Sequence, residues 1–340
     1  MSQNTAAWQT ASRAKTYETK EAPYPSPKEH EIVVKTAAVA INPVDWFIQQ
    51  VGDDRFGFLQ YPTILGSDVA GEVVQVGSAV TRFSPGDRVL GLAAFFNCGP
   101  THGAFQSFVL LDDHLSAKMP ESISYESACV VPLGTSTAAC GLFQKGFLGL
   151  QHPKATKPTP SGKTVLIWSA ATSVGSNAVQ LAVAAGYEVF ATTSPKNFEY
   201  VQGLGASKVF DYRSDTVVAE IIEAFQGKSS AGALACVGDG TVPCARVVDK
   251  VGGVKSVATV KQPSGDIPEG VEAKFIFGSS LRDDEVGPAV FVDFLPQALA
   301  EGSFICTPPA EVVGKGIGAI QDALEVQKKG VSAKKIVVTM

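Results

Sequence analysis

The sequence lacks the features that mark several protein classes. It has no cluster of lysine and arginine, and its net charge is −5, which argues against nucleic acid or an acidic membrane surface as a partner. No apolar run approaches the length of a membrane span. Residues 1–15 contain no apolar segment of the kind found in a secretory signal. We therefore expect a cytoplasmic protein that associates with neither nucleic acid nor membrane.

Cysteine and histidine are sparse and show no paired spacing. Without a secretory signal, thiols of this kind are expected to be reduced and mostly packed in the interior. The histidines fit no recognised motif, and we expect them at the surface or in loops. The cysteines stand at positions 98, 129, 140, 236, 244 and 306, and the histidines at positions 30, 102, 114 and 152.

The apolar residues change their pattern along the chain. The first third has short alternating or β-branched runs, such as residues 31–41 and 67–77, which predict a barrel-like, largely antiparallel domain. After a Pro- and Lys-rich loop at residues 151–162, strand and helix patterns alternate, which predicts a doubly wound parallel sheet. Its strands are expected at residues 164–169, 187–193, 208–212, 233–237 and 255–260, and its helices at residues 176–185, 198–204, 217–225 and 243–251.

The chain length of 340 residues suits two domains of this kind. We place the barrel-like domain at residues 1–124 and 290–340, and the parallel-sheet domain at residues 125–289. A helix near residues 317–329 leads into the segment KKIVVTM, which is expected to be a strand that rejoins the first domain.

The first turn of the predicted parallel sheet is poor in glycine. Such a turn normally uses glycines to bend sharply and to approach a dinucleotide pyrophosphate. Here Ala170, Ala171, Thr172 and Ser173 precede a single Gly175. Small side chains preserve much of that approach, and hydroxyls can donate to phosphate beside the N–H groups that begin the helix. A dinucleotide site and an ordinary βαβ unit without a ligand remain equally open on the turn alone.

The residues after the second strand favour one dinucleotide over the other. An NAD site usually has a carboxylate there, which accepts a hydrogen bond from the ribose 2′-OH. This chain has Ser194, Lys196 and Asn197, with no carboxylate before Glu199. A cation and hydroxyls suit a 2′-phosphate, which a carboxylate would repel. We therefore expect NADPH, and a solvated polar turn is the alternative.

Several motifs together resemble one family. AVAINPVDW at residues 38–46, YPTILGSDVAGEVVQVGSAVTRFSPGDRVLG at residues 61–91, PLGTSTAACGL at residues 132–142 and the βαβ unit occur in this order. Over essentially the whole chain this resembles the medium-chain dehydrogenase/reductase superfamily. The resemblance implies an α/β fold in which a Rossmann domain interrupts a GroES-like β-barrel catalytic domain. Residues 192–213 are most similar to a fungal branch with trans-acting enoyl reductases and quinone-reductase-like enzymes.

The chain departs from the zinc alcohol dehydrogenases of that superfamily. Their cysteine ligand falls at Asn42, and their Gly-His-Glu motif falls at Gly66, Ser67 and Asp68. The soft ligands of a catalytic zinc are therefore missing. The four-cysteine structural zinc lobe is absent too, and Cys98 with His102 does not make a site. We expect no metal.

The resemblance implies a reductase of already electrophilic substrates. Without zinc, an activated C=C bond or a quinone suits the pocket better than an alcohol or simple ketone. The substrate is expected to be a small molecule or a carrier-bound unsaturated carbonyl, and the protein a monomer or homodimer. A catalytically silent NADPH-binding or structural protein and a zinc-type alcohol dehydrogenase are the alternatives.

The resemblance also implies site residues. Catalytic roles fall on Asn42, Asp45, Trp46 and Thr137; their structural alternatives are shaping a turn, capping a helix, core packing and helix packing, respectively. Tyr212 is expected to flank the adenine, with simple burial as its alternative. The full set implied for the cofactor is Pro43, Ala171, Thr172, Ser173, Val174, Gly175, Ser194, Lys196, Asn197, Tyr212, Ala258, Thr259, Val331 and Ser332.

Overall fold

The computed structural model describes residues 3–340 and divides into two compact units. Unit 1 comprises Met1–Leu133 with Leu299–Met340, and unit 2 comprises Gly134–Ala298. Both boundaries lie later in the chain than the positions expected from the sequence. The short helix Tyr125–Ala128, which was assigned to the parallel-sheet domain, contacts strands of unit 1 instead.

The secondary structure alternates along the chain as follows. The strands are β1 Asn4–Gln9, β2 Glu18–Ala22, β3 Glu31–Ala40, β4 Thr63–Ile64, β5 Asp68–Val76, β6 Arg88–Leu92, β7 Phe108–Asp112, β8 Ser116–Lys118, β9 Lys163–Trp168, β10 Glu188–Thr193, β11 Lys208–Asp211, β12 Ser229–Ala235, β13 Ser256–Thr259, β14 Glu272–Phe275, β15 Ala310–Lys315 and β16 Lys335–Thr339. The helices are α1 Pro43–Val51, α2 Asp53–Phe56, α3 Phe95–Cys98, α4 Tyr125–Ala128, α5 Pro132–Phe143, α6 Ser173–Ala184, α7 Phe198–Gly203, α8 Val217–Ala224, α9 Thr241–Lys250, α10 Val286–Pro288, α11 Leu295–Glu301 and α12 Ile320–Lys328.

Unit 1 is the barrel-like domain. One sheet has the order β2-β1-β4, and a larger one has the order β15-β16-β3-β5-β6-β8, with β7 also paired to β3. The pairs of β3 with β5 and β7 are antiparallel, and so is the pair of β16 with β3. The expected return of the last strand to the first domain is therefore confirmed. Apolar side chains of both sheets, with α12, form the core of this unit.

Unit 2 is a doubly wound parallel sheet, which confirms the expected α/β class. Its strand order is β11-β10-β9-β12-β13-β14, and each neighbouring pair is parallel. Numbered from β9, this is the order 3-2-1-4-5-6 of a Rossmann sheet, in which ligands bind beyond the carboxyl ends of the strands at the point where the order reverses. That point lies beside the end of β9, where the glycine-poor turn begins.

Most of the cysteines are buried, as the sequence indicates, and one histidine is buried as well. Cys129, Cys140, Cys236 and Cys244 are buried, as expected of packed thiols. His102 lies in the connection between β6 and β7, as expected of a loop residue, but it is buried, and its Nε2 atom lies 3.3 Å from Glu31 Oε1. Within residues 3–340, no helix is both long enough and apolar enough to cross a bilayer.

Candidate active site

The turn between β9 and α6 is closed by its own side chains. Ser169, the residue after β9, has a φ of 64°, a conformation that glycine adopts more readily than serine. Thr172 caps α6: its hydroxyl accepts a hydrogen bond from Gly175 N at 3.0 Å and donates one to the Ser169 carbonyl at 2.9 Å. The hydroxyl of Thr172 therefore holds the turn together.

Gly175 is required by the packing of α6 on β9. A Cβ atom at this position would lie 2.5 Å from the Ser169 carbonyl oxygen and 2.6 Å from Ala170 Cα. Both are backbone atoms that cannot move aside cheaply. The remaining glycine thus permits the close approach of helix and strand, one of the roles of glycine in a dinucleotide-binding turn.

The same turn fits a dinucleotide pyrophosphate in its position and chemistry. Ala171, Ser173 and Val174 surround the N-terminus of the 12-residue helix α6, whose first turn contains no acidic residue. A helix N-terminus favours negative charge because its amide dipoles point toward it. The turn also follows the central strand of a Rossmann sheet. These residues therefore suit the phosphates of a nicotinamide dinucleotide.

The residues after β10 comprise two side chains joined by a hydrogen bond and one exposed lysine. Ser194 is buried, and Asn197 Nδ2 donates a hydrogen bond to its Oγ at 3.2 Å. Lys196 is exposed, between them in the short turn Pro195–Asn197. Since β10 is parallel to its neighbour β9, this turn lies at the same end of the sheet as the turn between β9 and α6. The structure thus places hydroxyl, amide and ammonium groups together in the turn that follows β10, and a contact with a 2′-phosphate stays a prediction.

The other residues predicted to bind the cofactor are spread over both units. Tyr212 follows β11 and is 40% exposed. Ala258 and Thr259 end β13 and are buried, with the Thr259 hydroxyl 2.8 Å from that of Thr241. Thr137 is partly buried on α5 in unit 2. Pro43, Val331 and Ser332 are exposed residues of unit 1.

In unit 1, Asn42 and Asp45 meet at the start of α1. Asp45 Oδ2 accepts a hydrogen bond from Asn42 N at 2.7 Å, while Asp45 Oδ1 is buried without a hydrogen-bond partner. Burial raises the pKa of Asp45 to about 7; the Asn42 N–H opposes the rise and the Asp68 carboxylate adds to it. The expected capping role of Asp45 is therefore present in the geometry, together with a perturbed acid.

A buried ion pair lies against the Asn42 side chain. Lys335 Nζ is 2.9 Å from Asp68 Oδ2, and the two side chains are 4% and 0% exposed. Asn42 Nδ2 donates to Asp68 Oδ2 at 2.8 Å, and Asn42 Oδ1 accepts from Lys335 Nζ. Asp68 Oδ1 accepts from Leu133 N at 2.6 Å. We call Asn42, Asp68 and Lys335 the polar triad.

The polar triad arises from the strand order and was only partly predicted. Lys335 begins β16, Asn42 follows β3 and Asp68 begins β5, and these strands are neighbours in one sheet. The sequence predicts Asn42 as a site residue. It identifies Asp68 only as the residue at the glutamate position of the Gly-His-Glu motif, and it does not identify Lys335. A lysine at the head of the apolar run KIVVT was the signal that could have pointed to it, because a strand buried on both faces seldom begins with an unpaired charge.

Trp46 has a packing role in this structure. Its indole Nε1 donates to Gln327 Oε1 of α12, and the Lys328 ammonium lies 5.8 Å from the ring centroid. The ring is partly buried against the core of unit 1. Trp46 therefore helps to hold α1 against α12, the structural alternative considered for it; a contact with substrate stays a prediction.

The donor atoms of the chain do not gather into a metal-binding group. Across residues 3–340, no three His, Cys, Asp or Glu side chains lie together as a metal ion would require. At the position of the zinc-binding cysteine, the oxygen of Asn42 already accepts a bond from an ammonium. The side chains at this position thus make their own charge-balanced network.

Comparisons with known proteins agree with this fold. Two family models match the chain: the alcohol dehydrogenase GroES-like domain over residues 28–121 and zinc-binding dehydrogenase over residues 173–279. Dehydrogenase pigH of Monascus ruber is 51% identical over 369 aligned positions, covering 100% of both chains. Trans-enoyl reductase himH of Aspergillus japonicus is 39% identical over 340 positions, covering 98% of this chain and 97% of the relative.

A solved structure extends the likeness to three dimensions. The CurK enoyl reductase superposes with a TM-score of 0.78 at 22% sequence identity, and the match covers 100% of each chain. At that identity the likeness supports the fold alone. Together with the close relatives and the two matched domains, it leads to one conclusion: the chain belongs to the medium-chain dehydrogenase/reductase superfamily, whose members use a nicotinamide cofactor, and it is an oxidoreductase of that type.

Proposed function

We propose that the protein is an NADPH-dependent reductase of activated C=C bonds or quinones that works without a catalytic metal. The observation that carries this proposal is the polar triad. An ammonium and a carboxylate engage both ends of the Asn42 amide, at the position where zinc-dependent members have a thiolate ligand. A substrate that is already electrophilic needs less polarisation than an alcohol or simple ketone.

The residues of unit 2 support the choice of cofactor. The helix N-terminus after β9 suits a pyrophosphate, and the exposed Lys196 beside Ser194 suits a 2′-phosphate. Bound NADPH would supply the hydride. The chain's own task is then to bind and orient the substrate, and to stabilise the negative charge that develops on its oxygen.

The chemistry of reduction defines what unit 1 must do. A hydride that adds to the β-carbon of an enone moves the π-electron pair onto the carbonyl oxygen, and a proton from water at the α-carbon completes the reduction. Hydrogen-bond donors near that oxygen therefore lower the barrier. The start of α1, around Asn42, is the part of unit 1 that we propose for this role. The relative himH is itself named a trans-enoyl reductase, so a carrier-bound substrate belongs in the test.

The proposed function is tested by NADPH oxidation with a panel of enones, quinones and enoyl thioesters on a pantetheine arm. We expect turnover with at least one of these classes and none with simple alcohols plus NADP⁺. Metal analysis of the purified protein accompanies the assay. Tight NADPH binding without turnover across the panel would instead identify a catalytically silent protein, and stoichiometric zinc would contradict the metal-free assignment.

Replacing Lys196 with alanine is expected to weaken NADPH binding by roughly tenfold to a hundredfold, because a charge-assisted contact to phosphate contributes about 1.5–3 kcal/mol. NADH has no 2′-phosphate, so its binding should change little. Adding Ser194→Asp should weaken NADPH further through repulsion. Calorimetric titration of both cofactors provides the measurement, with the exposed Lys208→Ala variant as a matched control. Equal losses for NADH and NADPH would contradict the assignment.

A further inference from the structure

Four phenylalanine rings of unit 1 form a connected cluster. They are carried by α1, by α2 with the turn after it, and by α3. Phe56 lies at the centre: its ring centroid is 5.9 Å from that of Phe47, 6.2 Å from that of Phe58 and 6.0 Å from that of Phe96. The rings of Phe58 and Phe96 are also 6.0 Å apart. We call Phe47, Phe56, Phe58 and Phe96 the aromatic patch.

The aromatic patch is buried on one side and exposed on the other. Phe96 stacks on the buried Phe95 at 4.1 Å, whereas Phe47 is 38% exposed and Phe58 is 58% exposed. The two outer rings together expose about as much surface as one whole aromatic side chain, roughly 150–250 Å². A stable protein interface covers about 800 Å² on each partner. The exposed area therefore suits a small planar group better than a protein.

The connection between α1 and α2 holds the patch in place. Gly52 has a φ of 51°, and a Cβ atom there would lie 2.2 Å from Ser12 Oγ, so this close approach requires glycine. Next to it, Arg13 Nε donates a hydrogen bond to the Val51 carbonyl at 3.1 Å. The chain is thus fastened to residues 12–13 before it returns to the patch. The fold itself positions the rings, so a ligand does not have to order them.

The patch continues the part of α1 that we propose for the substrate. Pro43 and Phe47 are four residues apart in α1, so they share one face of the helix, and both are exposed. A substrate bound at the start of α1 can therefore extend along this face onto the patch. Enones and quinones are planar and conjugated. Aromatic side chains favour offset-stacked or edge-to-face contacts with such π-systems.

We propose that the aromatic patch binds a planar aromatic or conjugated ring system of the substrate, so that the protein selects such substrates over saturated ones with the same carbon skeleton. This inference rests on the proposed function and narrows its substrate class. The exposed rings of Phe47 and Phe58 make the contact, and Phe56 and Phe96 support them. No proton or hydride moves at the patch, so it determines specificity rather than chemistry.

The proposal is tested with 2-naphthol and decahydro-2-naphthol, which share a carbon skeleton and a hydroxyl group but differ in planarity. Neither accepts a hydride, so calorimetric titration in the presence of NADPH measures binding without turnover. The wild-type protein should prefer 2-naphthol by roughly tenfold or more. Phe47→Leu with Phe58→Leu keeps the side chains apolar and removes the outer rings. This double variant should lose most of the preference, with decahydro-2-naphthol affected less than about twofold.

Two controls accompany the double variant. Tyr24→Leu removes another aromatic ring of unit 1, 43% exposed and in contact with Phe108, and should leave the preference unchanged. Phe58→Leu alone changes the most exposed ring of the patch and should cause part of the loss without affecting folding. If 1,4-naphthoquinone is turned over, the double variant should raise its KM several-fold and leave kcat nearly unchanged.

Three outcomes would overturn the proposal: a wild-type protein without preference for 2-naphthol, a double variant that retains the preference, or equal losses for both ligands. Sedimentation of wild type and double variant adds a further check. A dimer that the double variant loses would identify the patch as an interface between two copies of the chain, which would also overturn it. Absence of turnover across the whole panel would instead contradict the proposed function, and the measured preference for a planar ring would still stand.

Discussion

Asp68→Asn is expected to lower the free energy of unfolding by about 3–5 kcal/mol, the usual cost of breaking a buried ion pair by removing one partner. The substitution is almost isosteric, so it leaves no cavity. It leaves the Lys335 ammonium, which is 4% exposed, without its counter-charge. Denaturant unfolding monitored by circular dichroism provides the measurement. Asp87→Asn is the matched control, because its partner Lys118 lies at the surface; such a pair is worth about 0–1 kcal/mol.

The same experiment has a second arm. Adding Lys335→Met to Asp68→Asn removes both charges and should recover most of the lost stability, since a neutral replacement of the whole pair is frequently tolerated. Recovery would show that an uncompensated charge causes the loss. A double variant no more stable than Asp68→Asn would contradict the view that the two side chains act as a pair, and would assign the cost to the bond between Asp68 and Leu133 N.

Asp45→Asn is expected to flatten the pH dependence of stability. Burial raises the pKa of Asp45 to about 7 from an ordinary value of 3.8, so the folded state retains a proton that the unfolded state releases. The stability associated with that proton is fully present below about pH 4, falls as the pH rises, and is lost above about pH 7. The slope is about 1.4 kcal/mol per pH unit within that window.

Unfolding free energies at several values between pH 4 and pH 8 measure this effect. Relative to wild type, the Asp45→Asn variant should gain stability as the pH rises, because its amide does not ionise but can still accept the Asn42 N–H bond. Asp113→Asn is the comparison: neighbouring histidines lower the pKa of Asp113 despite its partial burial, so its contribution to stability is lost only as the pH falls below about 4, and its curve should run parallel to wild type between pH 4 and pH 8. Parallel curves for Asp45→Asn and wild type would show that Asp45 is ionised throughout.

The sequence was informative where local patterns determine structure. The strands β9, β10, β11, β12 and β13 overlap the predicted apolar runs, because each run is short, apolar and bounded by turn residues. The domain boundary was less predictable. The small residues that begin near Glu126 suit a helix in either domain, and only the contacts of α4 with β3 and β5 assign it to unit 1.

The polar triad shows what local patterns cannot reveal. Lys335 is 293 positions from Asn42 in the chain, and only the order β16-β3-β5 brings them together. The burial of His102 could not be predicted for the same reason, because its neighbour Glu31 belongs to a strand that is distant in the sequence. Single-sequence reasoning identifies a residue by its neighbours in the chain, whereas burial and ion pairing depend on neighbours in the sheet.

The position of β16 has a consequence for the order of folding during synthesis. Unit 2 is one continuous stretch, Gly134–Ala298, so all of its strands leave the ribosome before β16 is made. Unit 1 lacks a strand between β15 and β3 until Lys335–Thr339 emerges. Until then, the Ala38–Ala40 end of β3 has no partner in place of β16, although the Glu31–Lys35 end can pair with β7, and Asp68 lacks the ammonium of Lys335. The Rossmann unit is therefore the part of a nascent chain that can fold first, whereas unit 1 can complete its larger sheet only after Lys335–Thr339 has been made.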